Sequence, residues 1–164
     1  MRYRYCPLCG KELQPRRLGD EGKVPWCVSC RRPFFDGFST CILALAGDSE
    51  GNILLSRDER SGGRFLATSG YIRCGETAES AAVREIEEEL GLRAEEPFYL
   101  GSWPAGEGEL LMLGFFCRVE RLEPRCSSEL LEAKWFNAAE AEAQLRSSSV
   151  AKLVLQCARQ EGLL

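Results

Sequence analysis

The sequence contains no histidine among its 164 residues. Catalysis by a Cys–His pair or by a Ser–His–Asp triad is therefore excluded. No apolar run is long enough to span a bilayer, and residues 1–6 do not have the pattern of a signal peptide. We therefore expect a cytoplasmic chain without a membrane partner.

The composition that remains is ordinary for a globular chain, with 45% hydrophobic and 28% charged residues. The length suits one domain of ordinary size with a small appendage. The net charge of −4 is unevenly distributed, because residues 1–36 carry eight Lys/Arg against four Asp/Glu. This basic front could face a polyanion such as nucleic acid.

Four of the nine cysteines lie in this front as two Cys-x-x-Cys pairs, seventeen residues apart. The spacing is that of a four-cysteine zinc site, and a segment this short needs such a metal to fold. Disulfides compete with this interpretation but nothing suggests export, and a redox pair is disfavoured because two such pairs occur at ribbon spacing. We predict a structural zinc ribbon over residues 1–36, with Zn²⁺ held by Cys6, Cys9, Cys27 and Cys30.

The aromatic and basic side chains of the predicted ribbon have two interpretations. They could form a stacking surface for single-stranded nucleic acid. Alternatively, the aromatic residues cover the zinc and dock the ribbon on its neighbour, which is favoured because so few other apolar residues are available. The side chains concerned are Tyr3, Tyr5, Trp26, Arg16, Arg17, Arg31 and Arg32.

The hydrophobic pattern predicts a second domain over residues 37–164. A hairpin is predicted from two strands, residues 38–46 and 52–57, and further strands at residues 65–69, 93–103, 110–120 and 133–136. Helices are predicted between Thr77 and Gly91, from Asn137 to about Leu145, and over residues 149–161. Strands in two groups around a central helix, with helices at the end, indicate an α/β fold with a mixed sheet covered on both sides.

The first of these helices carries an unfavourable set of charges. Glu85, Glu88 and Glu89 stand at i, i+3 and i+4, so their carboxylates share one face and repel each other by about 0.2–0.5 kcal/mol per pair. They also crowd the helix end where the macrodipole favours cations. A solvated acidic face is the plainer interpretation. Because the carboxylates follow a glycine-flanked loop, a bound Mg²⁺ or Mn²⁺ explains them better.

The same stretch resembles the Nudix box in every defined position over 23 residues. Gly70 is followed after five residues by Glu76, then after seven by Arg84-Glu85, and the box continues with Ile86, Glu88-Glu89, Gly91 and Leu92. The resemblance implies a Nudix α/β/α sandwich with a mixed sheet. It also implies that Glu85, Glu88 and Glu89, with the Gly70 carbonyl, bind the catalytic cation, and that Glu76 and Arg84 pair to position the loop.

A four-cysteine ribbon before such a domain is similar to the zinc-ribbon NADH pyrophosphatases without their N-terminal domain. The segment from Ser128 to Phe136 is similar to the one that carries a distal acid in that subfamily, which makes Glu129 a candidate ligand or base. The subfamily's Ser-Gln-Pro-Trp-Pro-Phe-Pro motif is reduced here to a segment in which Trp103 is a candidate for stacking on a base or for the core. The resemblance also implies a homodimer.

These features predict divalent-metal-dependent hydrolysis of the diphosphate in a nucleotide of the NADH, NAD or ADP-ribose type, which releases a nucleoside monophosphate. A nucleotide-sensing zinc-ribbon regulator with a Nudix fold is an alternative, although the intact acidic set argues against it. A third interpretation is the removal of a dinucleotide cap from RNA, with the ribbon as the landing surface.

Overall fold

The computed structural model describes residues 3–95 and 97–164. The chain divides between Phe38 and Ser39 into two compact units. No helix in the described ranges is long and apolar enough to cross a membrane.

The first unit is built on a three-stranded antiparallel sheet in the order β1-β2-β3. Its strands are β1 Gln14–Arg17, β2 Lys23–Cys27 and β3 Arg32–Pro33. Its core cluster is small and consists of Cys6, Leu13 and Cys27, with Cys30 and Phe34 packed against it, while Val24 and Pro25 of β2 are also buried. This core is small for a self-sufficient fold, so the cysteines have to contribute more than packing.

The second unit is a mixed sheet in the order β7-β8-β4-β5-β9, with β6 paired to β4 beside β5. Strands β4 and β8 are parallel, and the other pairs are antiparallel. The strands are β4 Ser39–Gly47, β5 Asn52–Arg57, β6 Thr68–Tyr71, β7 Phe98–Ala105, β8 Leu110–Arg118 and β9 Glu132–Asn137. The helices are α1 Ala78–Leu90, α2 Ala138–Gln144 and α3 Val150–Gln160.

Two apolar layers lie on opposite faces of this sheet. Helix α1 packs through Ile86 and Leu90 against one face of β4, while α3 packs through Val154 and Leu155 against the other. Strand β4 is therefore buried on both faces, which is why its sequence is a nearly continuous apolar run. The predicted sandwich architecture is confirmed.

Most strand boundaries lie within two residues of the predictions, and two differ by more. The predicted strand over residues 65–69 is shifted, because β6 begins at Thr68 and Leu66 makes an isolated bridge to Ser56. The predicted strand over residues 93–103 begins only at Phe98. Pro97 precedes it and has no backbone N–H for the ladder, which explains why regular pairing starts after it.

Candidate active site

Helix α1 begins and ends through local capping. The Thr77 side chain accepts a hydrogen bond from the Ser80 backbone N–H at 3.1 Å. Gly91 has a left-handed conformation with φ 66°, and its N–H donates to the Glu87 carbonyl. Since Ile86 and Leu90 face the core, the acidic positions of the helix are left for the opposite, more accessible face.

The carboxylate of Glu85 lies directly against the backbone of β6. A Cβ atom added to Gly70 would stand 2.0 Å from Glu85 Oε1 and 2.1 Å from its carboxyl carbon. Only glycine leaves room for this approach, because real Cβ contacts are never that short. The strand and the helix thus bring a backbone segment and a carboxylate together in one cradle.

We expect Gly70→Ala to displace Glu85 and to lower turnover far more than it lowers stability. The added methyl group has to push the carboxylate away from the strand, and a misplacement of about 1 Å at a reacting site can cost about 10²-fold in rate. Turnover and the thermal unfolding midpoint should be compared with those of Gly37→Ala, since Gly37 has open space around its Cα and no left-handed backbone conformation. Wild-type turnover in Gly70→Ala would contradict this account of the cradle.

Arg84 and Glu76 connect the loop before α1 to the helix itself. Arg84 Nε and Nη2 donate to the two Glu76 carboxylate oxygens at 2.7 and 3.0 Å, and Nη2 also donates to the Tyr71 carbonyl at 3.2 Å. The Arg73 backbone N–H donates to the same carboxylate at 2.9 Å. The Arg84 guanidinium, together with this N–H, lowers the pKa of Glu76 to about 2. The loop is therefore held to the helix by a permanent ion pair.

Glu85 and Glu88 are held by arginines. Arg84 Nη1 donates to Glu85 Oε1 at 2.6 Å and to Glu88 Oε2 at 3.1 Å. Arg73 Nη2 contacts both oxygens of Glu88 at 3.2 and 3.1 Å. Two of the three predicted ligand carboxylates thus have cationic partners in the protein.

Glu89 lies among other acids. Burial, followed by the charges of Glu85, Glu129 and Asp58, raises its pKa to about 7, against the opposing effect of a hydrogen bond from Thr68. Such mutual repulsion is costly in a partly buried place, and a bound cation would relieve it.

Backbone hydrogen bonds hold the chain after β8 in place, and this positions Glu129 near the cluster. The Arg125 and Ser127 backbone N–H groups donate to the last carbonyls of α1, at 2.8 and 2.9 Å, and the Leu131 N–H donates to the Arg57 carbonyl. Asp58, which follows β5, was missed in the sequence analysis, since only the fold brings it to Glu89. Both residues line one groove of about 510 Å³, together with Glu59, Arg60, Ser128 and Leu131.

The donor set of this site fits a hard divalent cation. Carboxylate oxygens from Glu85, Glu88, Glu89 and Glu129, with a backbone carbonyl at Gly70, are the ligand types that Mg²⁺ and Mn²⁺ prefer. The cradle over Gly70 and the crowded charge around Glu89 are the structural observations in favour of such an ion.

Trp103 lies on the other face of the sheet. Its ring covers Gly114, where an added Cβ would be 2.7 Å from the indole and 2.5 Å from Val154 of α3. It therefore belongs to the α3 layer, opposite the carboxylate helix.

A pocket of about 380 Å³ opens on this face, and sequence reasoning did not find it. Its walls include Leu43, Ala67, Ser69, Pro104, Ala105, Met112, Arg146, Ser148 and Ala151.

The four cysteines of the first unit form a compact thiol cluster. All four Sγ atoms lie within 4.8 Å of one another, with Cys6 to Cys30 at 3.9 Å and Cys9 to Cys27 at 3.5 Å. Four thiolates bound tetrahedrally at about 2.3 Å from one ion would stand about 3.8 Å apart. The described thiols therefore fit a single tetrahedral metal ion.

The fold and the site together define an α/β/α domain whose central helix presents carboxylates behind a glycine loop. The family model of the NUDIX domain matches residues 37–156, and the chain belongs to the Nudix family. This confirms the resemblance seen in the sequence and the Nudix fold that it implied.

Curated relatives match most of this chain. The NAD-capped RNA hydrolase NudC of Escherichia coli O9:H4 (strain HS) is 28% identical over 141 residues, which cover 82% of this chain and 51% of the relative. Proteins of the same name from Shigella boydii and Escherichia fergusonii match equally well. The chain spans about half the length of these relatives.

Solved structures show the same fold. The NUDIX hydrolase from Nitrosomonas europaea superposes with a TM-score of 0.71 at 19% identity, and the match covers 98% of this chain and 94% of that one. A NUDIX-family hydrolase from Clostridium perfringens has a TM-score of 0.62 at 14% identity, over 79% of this chain and 99% of that chain.

Proposed function

We propose that the protein hydrolyses the diphosphate linkage of a nucleoside diphosphate joined to a second moiety, of the NAD(H) or ADP-ribose type, and releases a nucleoside monophosphate. The observation that carries this proposal is the crowding of Glu85, Glu129 and Asp58 around Glu89, beside the glycine cradle of β6. In this reaction, water attacks one phosphorus atom and the bridging oxygen leaves with the other.

The carboxylates of α1, Glu129 and the Gly70 carbonyl would hold Mg²⁺ or Mn²⁺. A bound divalent ion neutralises diphosphate oxygens and activates water. The pair of Glu76 and Arg84 would keep the loop and the helix in register, since its hydrogen bonds span the loop that connects β6 to α1. Glu85 would then hold the ion from a fixed position.

The pocket on the opposite face is our proposed site for the nucleoside or the second moiety. Successive residues of a strand face opposite sides, so Ser69 lines the pocket while Gly70 faces the carboxylates. Among the described strands, β6 pairs only with β4, and beyond the bridge between Leu66 and Ser56 its other edge has no partner strand. A dinucleotide could place a flat ring in the apolar pocket and pass its diphosphate over this edge.

In the first unit, we propose that the cluster of four thiols binds Zn²⁺ structurally. The spacing of the sulfur atoms fits a tetrahedral site. The Cys30 backbone N–H also donates to Cys27 Sγ at 3.3 Å, a contact that stabilises a thiolate.

The name of these relatives, NAD-capped RNA hydrolase, supports a second candidate function, the hydrolysis of an NAD cap on RNA. The first unit presents guanidinium groups over aromatic rings, with Arg16 at 4.2 Å from the Trp26 ring centroid and Arg32 at 5.5 Å from that of Phe34. The two arginines are exposed and the two rings are half-buried. Pairs of a guanidinium and an aromatic ring can bind a single strand by charge and by stacking.

A substrate panel with Mg²⁺ and with Mn²⁺ tests these proposals. It should compare kcat/KM for NADH, NAD⁺, ADP-ribose and an NAD-capped RNA oligonucleotide. Hydrolysis of one or more of the small dinucleotides supports the main proposal, and a preference for the capped RNA that disappears at high salt supports the second. Tight binding of a nucleotide without turnover would instead favour the sensor.

The pocket is tested by Ser148→Trp. Ser148 is exposed and lines the pocket, so a large ring at this position should fill it without disturbing the core. We expect KM for the preferred dinucleotide to rise at least about fivefold, since a displaced ring loses about 1–3 kcal/mol of stacking or apolar contact. Ser147→Trp is the matched control, because Ser147 is also exposed but does not line the pocket. Equal KM values in the two variants would contradict this placement of the substrate.

A further inference from the structure

Arg73 is a cation at the mouth of the carboxylate site. It lies in the loop between β6 and α1, and its Nη2 atom donates to both oxygens of Glu88 at 3.2 and 3.1 Å. The side chain is 61% exposed and that of Glu88 is 49% exposed. An ion pair this exposed is weak, typically worth little after solvation and side-chain entropy are counted.

Arg84, the other arginine that contacts the α1 carboxylates, is committed to structure. Its side chain is only 16% exposed, and its guanidinium donates to Glu76, Glu85 and Glu88. Breaking these contacts would leave a buried charge without partners, which is expensive. Of the two arginines, Arg73 is therefore the one that can change partners at low cost.

The backbone of Arg73 does not need to move for this exchange. Its N–H remains bonded to Glu76 Oε2 at 2.9 Å, and Ile72 before it donates to the Thr40 carbonyl and packs against the α1 layer. Only the long side chain, anchored at its base, would swing away from Glu88.

We propose that Arg73 is a binding residue for the diphosphate of the substrate, and that it exchanges Glu88 for the diphosphate when a divalent cation takes Glu88. This inference rests on the proposed function of the site. A carboxylate bound to a metal no longer offers both oxygens to the guanidinium, so Arg73 is released beside the ion. The planar guanidinium of arginine can donate two parallel hydrogen bonds to phosphate oxygens. Beside this acidic cluster, its positive charge also reduces the repulsion between the carboxylates and a bound diphosphate.

The first experiment measures metal binding without substrate. Free Mn²⁺ is followed by electron paramagnetic resonance in wild type, Arg73→Gln and the control Arg93→Gln, whose exposed side chain lines a groove with Glu95 and Glu120. Arg73→Gln should bind Mn²⁺ about two- to fivefold more tightly, because the ion no longer displaces an exposed ion pair. Weaker Mn²⁺ binding would overturn the exchange, since it would mean that Arg73 merely supports the loop.

The second experiment measures diphosphate binding. The probe is α,β-methylene-ADP, whose carbon bridge resists hydrolysis, titrated by calorimetry in the presence of Mn²⁺. We expect Arg73→Gln to bind it about tenfold or more weakly, as for the loss of a charge-assisted hydrogen bond. Arg73→Lys should fall between the two, because it keeps the charge without the fork, and Arg93→Gln should match wild type.

Equal affinities of wild type and Arg73→Gln for the probe would overturn the proposal, as would failure of the wild type to bind it with Mn²⁺. The outcome is separable from that of the proposed function. If the wild type binds the probe through Arg73 but hydrolyses nothing in the substrate panel, diphosphate binding stands and the hydrolase assignment falls.

Discussion

Glu89→Gln should reduce turnover of the preferred dinucleotide by about 10²–10⁴-fold, which is the contribution typical of one positioned acid or base. The amide has nearly the same shape as the acid, but it is a poorer ligand for a divalent cation and cannot accept a proton. The change removes one charge from the cluster that contains Glu85 and Glu129. Steady-state kinetics at saturating Mn²⁺ measures the effect.

The same variant should be at least as stable as the wild type when no divalent ion is present. The pKa of Glu89 is raised from 4.5 to about 7 in the folded chain, so the folded protein binds a proton that the unfolded chain has already lost. Ionisation of this acid therefore costs stability as the pH rises from about 4.5 past 7, and all of that cost is present at pH 8. Removing the acid removes the cost.

Thermal unfolding at pH 8 in the presence of a chelator checks the second half of this prediction. Glu87→Gln is the control for both halves, because Glu87 is exposed on the same helix and does not contribute to the pKa shift of Glu89. Wild-type turnover in Glu89→Gln would remove α1 from the mechanism, whereas lost turnover with a lower unfolding midpoint would indicate misfolding.

Removing the proposed zinc ion from the cluster of four cysteines should unfold the first unit. The apparent binding energy of zinc in small peptides is about 10–16 kcal/mol, and the few buried side chains around Leu13 and Phe34 cannot replace it. Two-dimensional NMR spectra should show that signals from residues 3–38 collapse on chelation while those of the second unit keep their dispersion. Metal analysis should find one zinc ion per chain before chelation.

Cys9→Ser should behave like the chelated protein, because a hydroxyl is a poor substitute for a thiolate ligand. Cys126→Ser is the control, since Cys126 is exposed and lies outside the cluster. Two disulfides in place of a bound ion, detected by mass spectrometry under non-reducing conditions, would contradict the zinc assignment.

The parts of the molecule that follow from local sequence could be predicted. Thr77 and Gly91 set the limits of α1, and both can be recognised in the sequence as capping residues. The convergence of Glu85, Glu88 and Glu89 on one helical face follows from the helix repeat alone. The four cysteines fix their own cluster through spacing.

Features that depend on distant segments could not be predicted. The charge of Asp58, which follows β5, acts on Glu89 only because the fold brings the two residues within range, and no local pattern encodes this. The face of Trp103 depends on a β-bulge between Tyr99 and Gly101. Tyr99 stands opposite Phe115 and Trp103 opposite Met112, so residues four apart on β7 belong to different layers of the sandwich.

Strand β6 has a consequence for how such a protein can diversify. Its Gly70 side serves the proposed chemistry and its Ser69 side the proposed recognition, so the two are separated by the thickness of one strand. Substitutions in the connection between α2 and α3, around Ser148, can therefore change the preferred moiety without moving a carboxylate. Natural variants should accumulate changes on the Ser69 side of β6, while the Gly70 side stays unchanged. The same separation allows selection for new substrates by randomising only the connection between α2 and α3.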